Sequence, residues 1–152
     1  MAQITTRHLF TLTLTVPEIQ NLGKTPLGER RVAVDVGGSF KGPKLSGTVL
    51  RGGSDWILGR PDGCVQLDVR LTLKTDDGEL IGMTYRGFRH GPAAVIERLN
   101  RGEKVDPADY YFRCAPFFET SSEKYGWLNR AITVATGNRL PEGPIYDVFE
   151  VL

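Results

Sequence analysis

Histidine is almost missing from this chain: His8 and His90 are the only two in 152 residues. Catalytic zinc ordinarily takes three protein ligands, and no HxH, HxxxH or paired-cysteine spacing occurs, so no metal centre is expected. Cysteine is equally scarce. Cys64 and Cys114 lie far apart in strand-like segments and read as reduced core thiols, which suits a cytoplasmic protein. No apolar run approaches the roughly 18 residues of a spanning helix, and Met1-Ala2-Gln3-Ile4 lacks the charged and apolar regions of a signal peptide. An excess of one charge sign is missing too. The formal net charge is +1, with both signs mixed along the chain, so neither nucleic acid nor membrane is expected as a partner. Ser54, Ser121 and Ser122 have no nucleophile-elbow context. The glycine-rich Gly37-Gly38-Ser39-Phe40-Lys41-Gly42 precedes a strand rather than a helix, which argues against a phosphate-binding loop. No cofactor motif stands out.

What is present is alternation. In Cys64 to Thr75, Val65, Leu67, Val69, Leu71 and Leu73 fall on one face, while Gln66, Asp68, Arg70, Thr72 and Lys74 fall on the other, the period-2 mark of a strand between two environments. Thr75-Asp76-Asp77-Gly78-Glu79 then allows two hairpin registers. A three-residue loop, Asp76-Asp77-Gly78, with a left-handed Gly78 sets Leu67 to Leu73 opposite Ile81, Met83, Tyr85 and Gly87 and puts Asp68 across from Arg86. A two-residue loop would mismatch the faces, and a one-residue slip turns every side chain over. The three-residue loop is therefore expected.

Further strands are expected at His8 to Val16, Arg30 to Val36, Lys44 to Arg51, Ser54 to Leu58, Glu79 to Arg89, Tyr110 to Thr120, Trp127 to Thr136 and Pro144 to Leu152. Residues 18 to 29 read as a loop and 37 to 43 as a turn. One short helix follows Pro92, with Val95 and Leu99 four apart and Gly102 placed to stop it. Thr120-Ser121-Ser122-Glu123 has capping-box spacing, which points to a helical turn over Glu123 to Gly126. With 40% hydrophobic content, residues 1–152 suit one domain. About nine strands cannot leave two apolar sheet edges open without inviting aggregation. The expected fold is all-β: a closed antiparallel β-barrel of about 8–9 strands with one short helix, lipocalin-like in general shape. A two-sheet sandwich is the alternative. A barrel of that size holds one small ligand.

Several spaced stretches carry a family resemblance. They are Gly37-Gly38-Ser39-Phe40-Lys41-Gly42-Pro43-Lys44-Leu45-Ser46-Gly47, Gly52-Gly53-Ser54-Asp55-Trp56, Arg60-Pro61-Asp62-Gly63, Leu67-Asp68-Val69-Arg70 and Thr75-Asp76-Asp77-Gly78. Tyr111-Phe112-Arg113, Phe118-Glu119-Thr120, Tyr125-Gly126-Trp127-Leu128-Asn129 and Tyr146-Asp147-Val148-Phe149 complete the set. From about residue 7 to the C-terminus the chain resembles uncharacterised protein family 0311, domain of unknown function 3237. Cys114 stands where that family often has threonine, and Gly126 where alanine is common. The resemblance implies a closed antiparallel barrel and brings no agreed reaction.

Function must then be argued from polar residues set among apolar ones. Asp68 and Glu119 are candidate catalytic bases. Arg70, Arg113 and Arg60 are candidate anion binders, with Trp56, Tyr85 and Tyr111 as aromatic walls for a planar ligand. Arg70 and Arg113 are expected to point into one cavity. Against this stands a plain outer wall: Asp68 paired across the strands with Arg86, Asp62 capping its own turn while pairing with Arg60, and Trp56 in the core. The expected function is a small-molecule-binding barrel acting as a cofactor-free lyase, isomerase or cyclase on an anionic or aromatic metabolite. A non-catalytic carrier or sensor barrel is the alternative. An apolar outer face joining a homodimer is compatible with both.

Overall fold

The computed structural model describes all 152 residues. Nine strands follow in order: β1 (Thr6–Thr15), β2 (Glu18–Thr25), β3 (Gly28–Lys41), β4 (Ser46–Gly59), β5 (Val65–Thr75) and β6 (Leu80–His90), then helix α1 (Ala93–Asn100), β7 (Tyr111–Glu119), β8 (Thr133–Leu140) and β9 (Gly143–Val151). Neighbours pair antiparallel from β1 through β9, β8, β7, β6, β5 and β4 to β3, and β1 also pairs β3. That pairing closes an eight-stranded barrel and leaves β2 as an extra strand on the first half of β3. β3 serves both neighbours because its two halves are used separately: residues 28–34 pair with β2 and residues 37–41 with β1.

The strand count agrees with expectation through two offsetting departures. Residues 18–25 are a strand, not a loop, for the chain turns back at Pro17 and lies on β3. Lys44 to Arg51 and Ser54 to Leu58 are one strand, β4, bent where its pairing with β5 lapses between Val49 and Ser54. Residues 37–41 continue β3 instead of turning. Gly38 permits this with φ +141°, where a Cβ would meet the Thr13 carbonyl oxygen at 2.0 Å. Opposite the bend in β4, Asp35 has φ 53°, and its carboxylate accepts from Arg51 and from the Gly52 N–H. Such bulges let a strand turn a barrel corner.

The β5–β6 hairpin has the three-residue loop. Thr75 N–H donates to the Glu79 carbonyl, Gly78 has φ +93°, and Asp68 lies across from Arg86. Gly102, at φ +79°, ends α1 with its N–H on the Leu99 carbonyl. Beyond β7, the helical turn falls at Gly126–Arg130 rather than Glu123 to Gly126. Thr120 Oγ1 accepts the Ser122 N–H and Ser122 Oγ the Tyr125 N–H, so these hydroxyls hold the turn that leads in, and the helical residues follow Tyr125 with no side-chain cap. Those 3-10 residues take the start of the strand expected from Trp127, and β8 begins at Thr133.

The antiparallel order sends the β3–β4, β5–β6 and β7–β8 connections to one end and the β2–β3, β4–β5, β6–β7 and β8–β9 connections to the other. The first end is filled. Phe10 packs on Phe40 and Phe118 with ring centroids 5.4 and 5.9 Å apart, and Leu73, Ile81, Met83 and Leu128 are buried around them. The second end is not filled.

Candidate active site

Inward-facing positions are set by the registers already described. Because Leu67, Val69, Leu71 and Leu73 are buried, Asp68 and Arg70 are exposed on the outside of β5. On β7 the same parity buries Phe112, Cys114, Pro116 and Phe118 and exposes Tyr111, Arg113 and Glu119. The expectation that Arg70 and Arg113 point into one cavity therefore fails: both lie on the outer wall, as do the candidate bases Asp68 and Glu119. The physical reason is plain. The fully apolar face of each strand takes the interior, and a mixed face of aromatics with charges remains outside.

Trp56 is 48% exposed, with its carbonyl accepting from Arg30 Nη1 and its ring under that guanidinium. Arg60 pairs with Asp62 and lies 5.7 Å from the Phe88 ring centroid, outside the barrel interior but lining the pocket beneath α1 that Arg31, Arg89 and Arg139 also reach. Arg113 covers Tyr111 and donates to the Phe112 carbonyl. Of the aromatic and polar residues singled out from sequence, Tyr85 alone faces the barrel interior.

That interior holds a cavity of about 170 Å³ at the unfilled end. Its inner wall is apolar, from Leu14, Val36, Leu67, Val69 and Phe112. Phe112 lies flat across Gly137, where a Cβ would come within 1.9 Å of the ring, and edge-on to Tyr146 at 5.3 Å. Tyr146 meets Tyr85 edge-on at 5.2 Å. Burial holds both phenols well above their usual pKa, so they are neutral. Burial also pushes the nearby Cys114 thiol up to about 12, which leaves it unreactive.

Four charged groups share this apolar setting: Asp55 from β4, Arg31 from β3, Arg89 from β6 and Arg139 from β8. Asp55 sits between Ala33 and Val69 in the register, turned inward because its neighbour Trp56 is turned out. Its carboxylate accepts the Asp68 N–H at 3.1 Å. Desolvation raises its pKa from 3.8 to about 6, against the lowering effects of that hydrogen bond, Arg89 and Arg31. A carboxylic acid near 6 carries and releases a proton close to neutral pH.

The arginines are placed as an anion receptor. Arg89 is only 8% exposed, and its pKa falls to about 10, first through desolvation and then through Arg139, with Arg31 adding to the effect. Arg139 Nη1 donates to the Leu99 carbonyl at 2.8 Å, fixing it under the end of α1. Arg89 also lies 5.4 Å from the Phe112 ring centroid. None of the ion pairs in the molecule uses Arg31, Arg89 or Arg139. Three guanidinium groups against one partly protonated carboxylate leave excess positive charge in a poorly solvated place, and an anion is the natural complement.

Sequence reasoning missed this set, though signals were there. Tyr85 and Arg89 are four apart on β6 and so share a face, which the hairpin register alone turns inward. Asp55 adjoins Trp56, and the two must point to opposite sides. Arg139 carried no such sign, because it lies beyond the strand expected to end at Thr136. Arg31 carried none because alternation set it with Asp35 on the face opposite Val32, Val34 and Val36, before the irregularity at Asp35 changes the parity.

Comparison with known proteins agrees with the architecture. A UPF0311 protein of Rhodopseudomonas palustris is 35% identical over 147 residues, covering 97% of this chain and 96% of its own. A crystal structure of a protein of unknown function from the same species superposes with TM-score 0.93 at 34% identity over the whole of both chains. A β-barrel-like protein of Acinetobacter baumannii superposes with TM-score 0.87 at 36% identity, over 100% of this chain and 98% of that one. A Penicillium herquei protein named a hydroalkoxylation enzyme is 31% identical over 115 residues, 76% of this chain and 62% of its own length. The model of the family described as protein of unknown function, DUF3237, matches residues 4–151, and the chain belongs to that family.

Proposed function

We propose that the protein is a proton-transfer enzyme, a lyase, isomerase or cyclase, acting without a cofactor on a small anionic metabolite held in the barrel cavity. Asp55 is the acid and base in this reading, and Arg31, Arg89 and Arg139 bind the anion. The observation that carries it is a carboxylic acid with a pKa of about 6 in the same cavity as three arginines that have no acidic partner. The name of the Penicillium relative supports the reaction class, since hydroalkoxylation adds an O–H across a carbon–carbon double bond.

Such a step balances within one substrate and one side chain. The Asp55 carboxyl gives its proton to one alkene carbon, the π electrons forming the new C–H bond. A hydroxyl of the same substrate attacks the other carbon to form C–O, and its proton returns to the Asp55 carboxylate. Nothing is oxidised or reduced, and the reverse sequence is a lyase-type ring opening. The neutral Tyr85 and Tyr146 hydroxyls line the same cavity as Asp55 and in this reading orient a substrate oxygen there. A carrier would use the same pocket without needing a titrating acid.

The test is a panel of small unsaturated hydroxy acids incubated with the protein in buffered D2O and read by NMR. Wild type is expected to place deuterium on carbon in at least one of them, and Asp55→Asn to lower that rate by about a hundredfold or more. Because the acid must start protonated, the rate should fall as pH rises through about 6. A rate unchanged in Asp55→Asn overturns the assignment.

A further inference from the structure

We propose that the ligand of this cavity is a small aryl or alkenyl carboxylate, seated with its ring or chain inward and its carboxylate at Arg31, Arg89 and Arg139. The proposal rests on the reading of the cavity as a substrate site and names the class and orientation of what it takes.

The first observation is where the arginines stand. They line the interior cavity and also a second pocket on the other side, beneath α1, with Glu29, Val65, Ile96, Leu99 and Asn100. They are thus a constriction between an apolar chamber and a more polar vestibule. A molecule entering from the vestibule meets the guanidinium groups at its charged end, while its apolar end lies against Leu14, Val36, Val69 and Phe112. The reverse orientation would take the anion away from all three guanidinium groups and against Leu14, Val36, Val69 and Phe112, with no cation to offset its desolvation.

The second observation is size. A cavity of about 150 Å³ lined by apolar side chains accommodates benzene, and this one is about 170 Å³. One six-membered ring or an equivalent short alkenyl chain fits, and the carboxylate then reaches the arginines. Drug-sized ligands occupy roughly 300–1,000 Å³ and are excluded unless they extend into the vestibule.

The third is the geometry of recognition. Guanidinium forks match the planar pair of carboxylate oxygens, and here the cationic donors stand together on the mouth side. Phosphate, with oxygens on all sides, would leave some facing the apolar wall. Asp55 and the Tyr85–Tyr146 pair are then beside the ring or chain rather than beside the carboxylate, where a carbon-centred proton transfer needs them.

The experiment uses benzoate, its neutral isostere benzamide, and inorganic phosphate as calorimetric probes of the intact protein at pH 7. Benzoate is expected to bind, and benzamide to bind at least about tenfold more weakly, the loss of a charge-assisted contact. Arg89→Leu should weaken benzoate by at least the same factor. Arg31→Gln, at a half-buried position that tolerates the change more readily, should do likewise and covers the case in which the Arg89 variant does not fold. Arg113→Leu on the outer wall should leave benzoate binding unchanged. Equal affinity for benzamide and benzoate, or phosphate binding as tightly as benzoate, overturns the proposal. So does an Arg31→Gln variant that folds and keeps full benzoate affinity. Asp55→Asn separates this from the catalytic reading. Benzoate bound normally with no Asp55-dependent deuterium transfer counts against catalysis alone. Deuterium transfer intact with benzoate unbound counts against the carboxylate alone.

Discussion

The two ends of the barrel are built from the same strands and differ in what those strands point inward. β5 contributes Leu71 and Leu73 to the filled end and Leu67 and Val69 to the cavity. β6 contributes Ile81 and Met83 to one, Tyr85 and Arg89 to the other, and β7 contributes Phe118 and then Phe112. At the filled end, aromatic rings meet across the barrel axis, and the buried polar groups there are the uncharged hydroxyls of Thr75, Ser122 and Thr133, each held by a hydrogen bond to the backbone. At the mouth end, Asp55 and three arginines displace hydrocarbon, and the chain leaves a hole. The lesson is that one end secures the fold, and the stability it provides permits desolvated charge at the other.

The largest expected effect tests the filled end. Leu73→Ala removes a side chain that is fully buried and should lower stability by about 3 kcal/mol in urea unfolding. Leu14→Ala, at the cavity wall, should fall at the low end of the about 2–5 kcal/mol range for such changes, because its side chain already lacks neighbours on one side. Equal losses at the two positions would erase the distinction between the ends.

The next effect has the opposite sign. Asp55 is harder to ionise in the folded protein than in the unfolded chain, its pKa rising from 3.8 to about 6. Between those values the folded state holds more protons, so its stability falls as pH rises through that window and stays low above it. Asp55→Asn removes this penalty and still offers an oxygen to the Asp68 N–H. The variant should be more stable than wild type at pH 8, by up to about 3 kcal/mol, and no more stable near pH 4. Urea midpoints at the two pH values check it; a destabilised Asp55→Asn at pH 8 would show that the carboxylate is structural.

How far the sequence already carried this comparison depends on the kind of signal. The β5–β6 hairpin was legible to the residue, because strict alternation on both strands and a glycine at Gly78 permit one register with matched faces. The closed barrel followed from the number of strands and the need to hide their edges. The choice of inward face was not read correctly. The mixed polar and aromatic face of β7 suggested a pocket, whereas the uniformly apolar Phe112, Cys114 and Phe118 were the interior. The real charges in the cavity come one per strand, from β3, β4, β6 and β8, and only the closure of the barrel assembles them. β2 stayed hidden because Glu18 to Thr25 is mostly exposed and so lacks the alternation that burial on one side imposes.

A smaller effect concerns the turn at the filled end. Gly78 lies at φ +93° with nothing within 4 Å of where a Cβ would be, so backbone strain alone opposes a side chain there. Gly78→Val should lower stability by about 1 kcal/mol or somewhat more and leave benzoate binding unchanged, since the cavity is at the other end. Loss of binding would mean that the two ends are coupled.

The smallest effect is expected on the outer wall. Arg70 and Arg113 sit mid-strand beside acidic residues and among aromatics, which makes them look like ligand groups on paper. Both are exposed, so bulk water already solvates their charge and neither needs an anion to offset desolvation. Arg113 has a local role, covering Tyr111 and reaching the Phe112 carbonyl at 2.8 Å, and Lys keeps the charge while losing the planar fork. Arg70→Lys and Arg113→Lys should therefore shift stability by less than about 0.5 kcal/mol and leave benzoate affinity at the wild-type value. By contrast, the same exchange at Arg89 removes a fork from the buried constriction and should weaken benzoate. Calorimetric titration of the three variants side by side decides the matter. If Arg113→Lys weakens binding as much as Arg89→Lys, the outer wall takes part in recognition, and the division between an inert exterior and a charged mouth is wrong.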